Sequence, residues 1–211
     1  MKIIDGKALL LKLRNPKRVT EVIPKSQAVR KNEVLVNWGV DEIHTLRNLN
    51  IKAPSPIQTQ YKWTGKHAPF SHQKKTAAFL TMNRKAFCFN EQGTGKTASA
   101  IWAADYLMKQ GKIKRVLVIC PLSIMDSAWR EDLFTFAPHR SVDIAHGASN
   151  KRKQIIEQGA DFVVINYDGV EIVYEEIAKG GFDLIVVDEA THYKNAQSKR
   201  WKILNKLVND N

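Results

Sequence analysis

The run Gly93-Thr94-Gly95-Lys96-Thr97 puts two glycines, an ammonium group and two hydroxyls within five residues, three residues beyond an apolar stretch at 86–89. That combination suits a phosphate. Glycines let successive backbone N–H groups approach an anion, the Lys96 ammonium adds charge where β- and γ-phosphates lie, and the Thr97 hydroxyl can ligate Mg²⁺. The general pattern G-x-x-x-x-G-K-[ST] has glycine where this chain has Asn90. Asparagine is one of the few other residues that tolerate left-handed geometry, so the departure is physically permitted. A glycine-rich turn with no nucleotide role is the plain alternative.

A second constellation follows 92 positions after Lys96, in FDLIVVDEATHYKN. Five of the six residues before Asp188 are apolar, as in a buried strand that ends on an acid. An aspartate there can hold Mg²⁺ directly or through water, and a glutamate beside it can orient and deprotonate an attacking water. An Asp-Glu pair can also merely cap the next helix. Together with the loop, the pair reads as catalytic, with Lys96, Asp188 and Glu189 carrying the chemistry and Thr97 and Asp188 the metal.

The elements that must position these residues are legible from about residue 84 onward. Strand-like runs at 86–90, 115–120, 142–145, 162–166 and 184–188 alternate with amphipathic stretches at 96–109, 124–136, 151–158, 170–179 and 197–207. This alternation predicts an α/β fold, a parallel sheet covered by helices on both faces. VLVIC, FVVIN and LIVVD are apolar throughout, as expected of strands buried on both sides.

The first third reads differently. KALLLKLR, RVTEVIP and NEVLVNW are short strand-like runs and VDEIHTLRNLN is helical, which predicts a small α+β domain over 1–52. Pro54, Pro56, Gly65 and Pro69 mark an extended linker over 53–68, leaving 69–211 for the α/β lobe. Residues 1–68 hold 13 Lys/Arg against 5 Asp/Glu, a net charge of +8 out of the chain's +12. The excess fits a polyanion partner, since Lys and Arg gain by releasing counterions from a phosphate backbone, and equally fits a solvated basic face. No apolar run reaches the roughly 20 residues a membrane-spanning helix needs, and the expected location is the cytoplasm, bacterial or phage-infected. Cys88 and Cys120 each sit in an apolar run and read as core thiols rather than a disulfide or zinc site.

FNEQGTGKT, VLVICPLSIMDSAWREDL, FVVINYDGV and DLIVVDEATHYKNAQSKRWKIL, in that order, resemble consecutive motifs of the first RecA-like lobe of superfamily 2 helicases, specifically the SWI/SNF branch of DNA translocases. The resemblance covers about 68–208. The N-terminal third is similar, less specifically, to the region before the motor in small phage-type and annealing-helicase-like members. It implies ATP and Mg²⁺ as cofactors and DNA as partner, in translocation, remodelling, annealing, repair or recombination. Gly93, Thr94, Gly95, Lys96 and Thr97 would hold the phosphates.

Carried over position by position, the resemblance makes Gln73 the residue that reads the adenine edge, although a polar residue opening an amphipathic helix would look the same. Phe70 or Trp63 would stack on adenine or belong to the core. Pro121, Leu122 and Ser123 match the motif that touches the DNA backbone, with N–H groups at the start of the following helix meeting a phosphate. Asn166 and Tyr167 match a pair along the DNA track, with the Tyr167 ring read as packed rather than stacked on a base, and Lys194, with Asn195 and Lys199, extends that surface or serves the start of the next helix.

Two departures from the family pattern stand out. Thr191 occupies the place of the family's histidine, and His192, one position later, is not given its coupling role. The family's second lobe, with an arginine finger worth about 10³ to 10⁵ in rate in related phosphoryl-transfer sites, is not within these 211 residues. The resemblance therefore implies ATP binding with poor turnover by the chain alone. A nucleic-acid-binding module with a vestigial nucleotide pocket, or an RNA helicase lobe, are the alternatives.

Overall fold

The computed structural model describes residues 1–210, which divide into two compact units. One comprises 1–63 with 69–96, the other 64–68 with the described residues from 97 onward.

The first unit is built on a four-stranded antiparallel sheet of β1 (Lys2–Ile4), β2 (Ala8–Lys12), β3 (Gln27–Arg30) and β4 (Glu33–Asn37), in the order β1-β2-β4-β3. Its helices are α1 (Lys17–Thr20), α2 (Val40–Asn48), α3 (Ile57–Gln60) and α4 (Ser71–Thr81). Leu9 and Leu11 of β2 and Val34 and Val36 of β4 point to one face. They pack with Ile43 and Leu46 of α2, Val19, Ile23 and Trp38. RVTEVIP, expected as a strand, instead forms α1 and a turn. Pro16 opens the helix, and Val19 and Ile23, four apart, are both buried, so helical spacing overrides β-branched propensity. β3 was not anticipated; it lies at a sheet edge, exposed along its length, with a register shift between Ala28 and Arg30. The expected extended linker contains the helical turn α3. It is also tied down: Ser55 and Thr81 hydroxyls hydrogen-bond at 2.8 Å, and Trp38 Nε1 donates to the Pro54 carbonyl.

The second unit carries a parallel sheet of β5 (Val116–Cys120), β6 (Val142–Ala145), β7 (Phe162–Asn166) and β8 (Leu184–Val187), in the order β6-β7-β5-β8. Its helices are α5 (Lys96–Lys109), α6 (Glu131–Phe136), α7 (Ser149–Glu157), α8 (Tyr167–Ile172), α9 (Tyr174–Lys179) and α10 (Lys199–Asp210). Alternate residues of β5 and β7 face opposite layers. Leu117, Ile119, Val163 and Ile165 pack with Ile156, Val170, Ile177 and Leu207. Val116, Val118, Phe162 and Val164 pack with Ile101, Ala104, Trp129 and Leu133. The sheet is thus covered on both faces, the RecA-like arrangement expected.

Several expectations are corrected. The run 86–90 is not a strand: Phe87 and Phe89 are 72% and 89% exposed and stack on each other. An apolar run becomes a strand only where a neighbour offers hydrogen bonds, and 86–90 pairs with no strand of either sheet. β8 is half-buried rather than buried on both sides because it closes one edge of the sheet. The helix expected over 170–179 breaks at Val173 into α8 and α9. The one expected over 124–136 begins as a 3₁₀ turn (Leu122–Ile124) and a π-helical segment (Met125–Arg130) before α6. Among the described residues no helix is long and apolar enough to cross a membrane, both cysteines are free, and no cluster suits a metal ion on its own.

Candidate functional site

The glycine-rich loop closes the first unit, and its last residue, Lys96, opens α5. Gly93 and Gly95 adopt φ of +74° and +72°, conformations that L side chains rarely take, so both glycines are required by the turn. Gly95 is doubly constrained, since a Cβ there would collide with the Gln73 side-chain amide. Gln73, buried on α4, accepts from Phe70 N–H at 2.9 Å and donates to the Thr94 carbonyl at 3.4 Å. His72 Nε2 lies 3.0 Å from the same carbonyl. The amide assigned to adenine therefore also braces the loop. Phe70 is 69% exposed and stacked on His72, while Trp63 is half-buried against Tyr61.

Asn90 does not use its tolerance for left-handed geometry. It keeps a negative φ, and its amide donates to Thr76 Oγ1 at 2.8 Å, tying the loop to α4. Lys96 Nζ donates to the Asn90 and Glu91 carbonyls, each at 3.0 Å. An ammonium that donates to loop carbonyls can exchange them for phosphate oxygens, so the loop fits a nucleotide polyphosphate. Thr97 is half-buried on the first turn of α5.

The remaining predicted residues lie in the second unit, at the carboxyl ends of adjacent strands, where open α/β sheets bind ligands. Pro121 follows β5, Asn166 ends β7 in register with Cys120, and Asp188 follows β8 with its N–H on the Ile119 carbonyl at 2.9 Å. Asp188 is held from three sides. Trp129 Nε1 donates to Oδ2 at 3.0 Å, Glu189 N–H donates to Oδ1 at 2.9 Å, and Tyr167 OH donates to the backbone carbonyl at 2.6 Å. Each carboxylate oxygen keeps lone-pair capacity after accepting one bond, so the oriented group fits a hydrated Mg²⁺. Glu189 sits at φ 52° and ψ 53°, a left-handed conformation rare outside glycine and concentrated at functional turns.

Burial, followed by the charge of Asp188, raises the Tyr167 phenol well above its ordinary value, so it stays a donor. Its ring is 7% exposed and packs against His192 and Tyr193, which makes it a support for the acidic turn rather than a free stacking platform. Asn166 Oδ1 accepts from Arg152, a buried guanidinium that also donates to the Ala145 and Gly147 carbonyls. Leu122, Ser123, Thr191, Lys194, Asn195 and Lys199 are exposed, and Lys199 pairs with Glu171.

Trp129 and Arg152 escaped the sequence reading. Trp129 lies inside a quoted motif, but its reach to Asp188 depends on the π-helical segment, a rare distortion found often at functional sites.

A parallel sheet with helices on both faces and an acidic turn at its carboxyl edge define a RecA-like lobe. Residues 72–211 match the model of the SNF2-related domain, and the chain belongs to that family. It is 29% identical over 144 residues to the uncharacterized ATP-dependent helicase YqhH of Bacillus subtilis, covering 66% of this chain and 24% of that protein. It is 29% identical over 146 residues to the ISWI chromatin-remodeling complex ATPase ISW2 of Saccharomyces cerevisiae, covering 66% and 12%. Among solved structures it is similar to the Sulfolobus solfataricus SWI2/SNF2 ATPase core in complex with dsDNA, with a TM-score of 0.60, 28% identity, and coverage of 68% of this chain and 31% of that one. The chain thus spans less than a third of the length of each of these relatives.

Proposed function

We propose that this chain is the ATP-binding first lobe of a DNA-dependent ATPase that translocates on or remodels duplex DNA. The observation that carries the reading is the loop itself, with two obligatory left-handed glycines, Gln73 bracing Thr94, and Lys96 bonded to loop carbonyls it can release. Family membership supplies the class, and the relative solved with dsDNA supports DNA as the partner.

In this reading Gly93, Thr94, Gly95 and Lys96 hold the phosphates, Gln73 and Phe70 face the base, and Thr97 and Asp188 hold Mg²⁺. The metal, when bound, neutralises charge on the β- and γ-phosphates. Glu189 accepts a proton from the attacking water. Trp129 and Tyr167 fix Asp188. Pro121, Leu122, Ser123, Asn166 and Lys194 contact the DNA backbone, with Tyr167 shaping that surface from beneath. Full turnover belongs to a longer assembly in which a second lobe adds an arginine.

Phosphate release by the 211-residue chain, measured with duplex DNA, single strands and RNA, tests this directly. Slow turnover, raised by duplex DNA when a second lobe is supplied, is expected. Robust DNA-stimulated turnover by the chain alone would overturn the two-lobe reading, and preferential stimulation by RNA would overturn the DNA assignment.

A further inference from the structure

Between Lys12 and Lys31 the first unit carries seven cations, Lys12, Arg14, Lys17, Arg18, Lys25, Arg30 and Lys31, against Glu21 alone. All seven are exposed. The fold gathers several of them. Lys12 ends β2 opposite Glu33, Arg30 pairs with the same residue from β3, and Leu13 N–H bonds to the Asn32 carbonyl at 2.9 Å. The end of β2 and the β3–β4 turn therefore share one end of the sheet, and the chain leaves it into α1. Between α1 and the exposed edge of β3 runs a groove of about 460 Å³, lined by Asn15, Lys17, Thr20, Val29, Arg30 and Lys31 among others. Among the described residues Arg30 has a long contact to Glu33, 3.7 Å, and Lys17 and Lys31 have no ion pair.

We propose that this groove is a second nucleic-acid contact, separate from the ATPase lobe, that grips the phosphate backbone of duplex DNA without reading sequence. Lys17 and Lys31, without ion pairs among the described residues, and Arg30, held only by its long contact to Glu33, stand beside amide and hydroxyl side chains, and such groups neutralise and hydrogen-bond phosphates. The aromatic content decides between backbone and bases. Trp38 is the only aromatic residue in 1–52, it is 2% exposed, and its Nε1 is engaged by Pro54. No aromatic residue lines the groove, so it lacks the stacking platforms that single-strand binding uses, which leaves the duplex backbone as the occupant. The register shift between Ala28 and Arg30 breaks the regularity of the β3 edge, which discourages strand addition by a peptide.

The proposal rests on the DNA-dependent reading above, and its test separates the two. Binding of the full 211-residue chain to fluorescein-labelled duplexes of two unrelated sequences is measured by anisotropy against salt, for wild type and Lys17→Ala/Arg30→Ala/Lys31→Ala. The slope of log K against log salt should fall by about one unit for each cation removed, near three in all, equally for both sequences. Lys17→Arg/Lys31→Arg should keep the wild-type slope. Should the triple variant fold poorly, Lys31→Glu, on an exposed turn, should still weaken duplex binding. An unchanged slope, or a loss confined to anionic vesicles or polyglutamate while duplex binding stands, would overturn the groove assignment. Titration of ATP on the same variants is expected to be unaffected. Intact ATP binding with an unaltered salt slope removes the groove and leaves the lobe, whereas a lost slope in a chain that binds no ATP removes the lobe reading and leaves the groove.

Discussion

The indole Nε1 of Trp129 donates to Oδ2 of Asp188 at 3.0 Å, from a tryptophan that is 2% exposed. An outer partner of this kind fixes a metal-holding carboxylate, and its removal costs ten- to hundredfold in metal affinity in characterised sites. Trp129→Phe keeps most of the ring volume and removes the donor. The gain in ATP affinity on adding Mg²⁺ is expected to shrink about tenfold, with affinity in EDTA unchanged. Equal losses in both conditions would assign Trp129 to packing alone.

Gly95 and Gln73 are predicted to be coupled. Gly95→Ala places a methyl group against the Gln73 amide at a φ of +72° and should abolish ATP binding. Adding Gln73→Ala removes the collision but not the backbone strain, so the double variant should recover stability by about 1 kcal/mol in urea unfolding without recovering full affinity. Strict additivity of the two changes would contradict the coupling.

Asp105 of α5 is fully buried and is bound by Lys109 at 2.8 Å, His139 at 2.8 Å and Arg140 at 2.7 Å. Removing the buried carboxylate leaves the largely buried Arg140 guanidinium without its partner, whereas Lys109 and His139 are 38% and 40% exposed. Asp105→Ala is expected to destabilise the chain by about 2 kcal/mol in chemical unfolding, most of it from Arg140. A loss under about 1 kcal/mol would show that solvent takes over the cations.

The Cys120 thiol ends β5, and burial, then the charge of Asp188, pushes it up to about 12 from 9.0. The folded state thus holds this proton more tightly than the unfolded state. Its contribution to stability is complete below about pH 9 and is lost as pH rises toward 12. At pH 8 a thiol reagent should label half-buried Cys88 and leave Cys120 unmodified until the chain unfolds. Rapid labelling of both in the folded chain would contradict this.

Much of the second unit was legible in advance because its signals are local. VLVIC and FVVIN, apolar throughout, read as strands buried on both sides, and both are buried strands. What escaped depended on partners distant in sequence. The run 86–90 has a strand's composition, but composition does not name a hydrogen-bonding neighbour, and its two phenylalanines remain exposed. Asn90 was read through its backbone tolerance, whereas its side chain, bonded to Thr76, is what the loop uses. Val19 and Ile23 give two points of a helical period, too few to outweigh β-branched propensity on paper. The reach of Trp129 needed a π-helical turn that no spacing rule announces.

The central claim is that Lys96 and its glycine-rich loop bind ATP. Titration of the 211-residue chain with a fluorescent ATP analogue in Mg²⁺, for wild type and Lys96→Ala, tests it most directly. Saturable binding by wild type that unlabelled ATP displaces, and that Lys96→Ala abolishes without loss of fold, is the predicted result. No binding by the folded wild type, or binding that Lys96→Ala leaves intact, would contradict it.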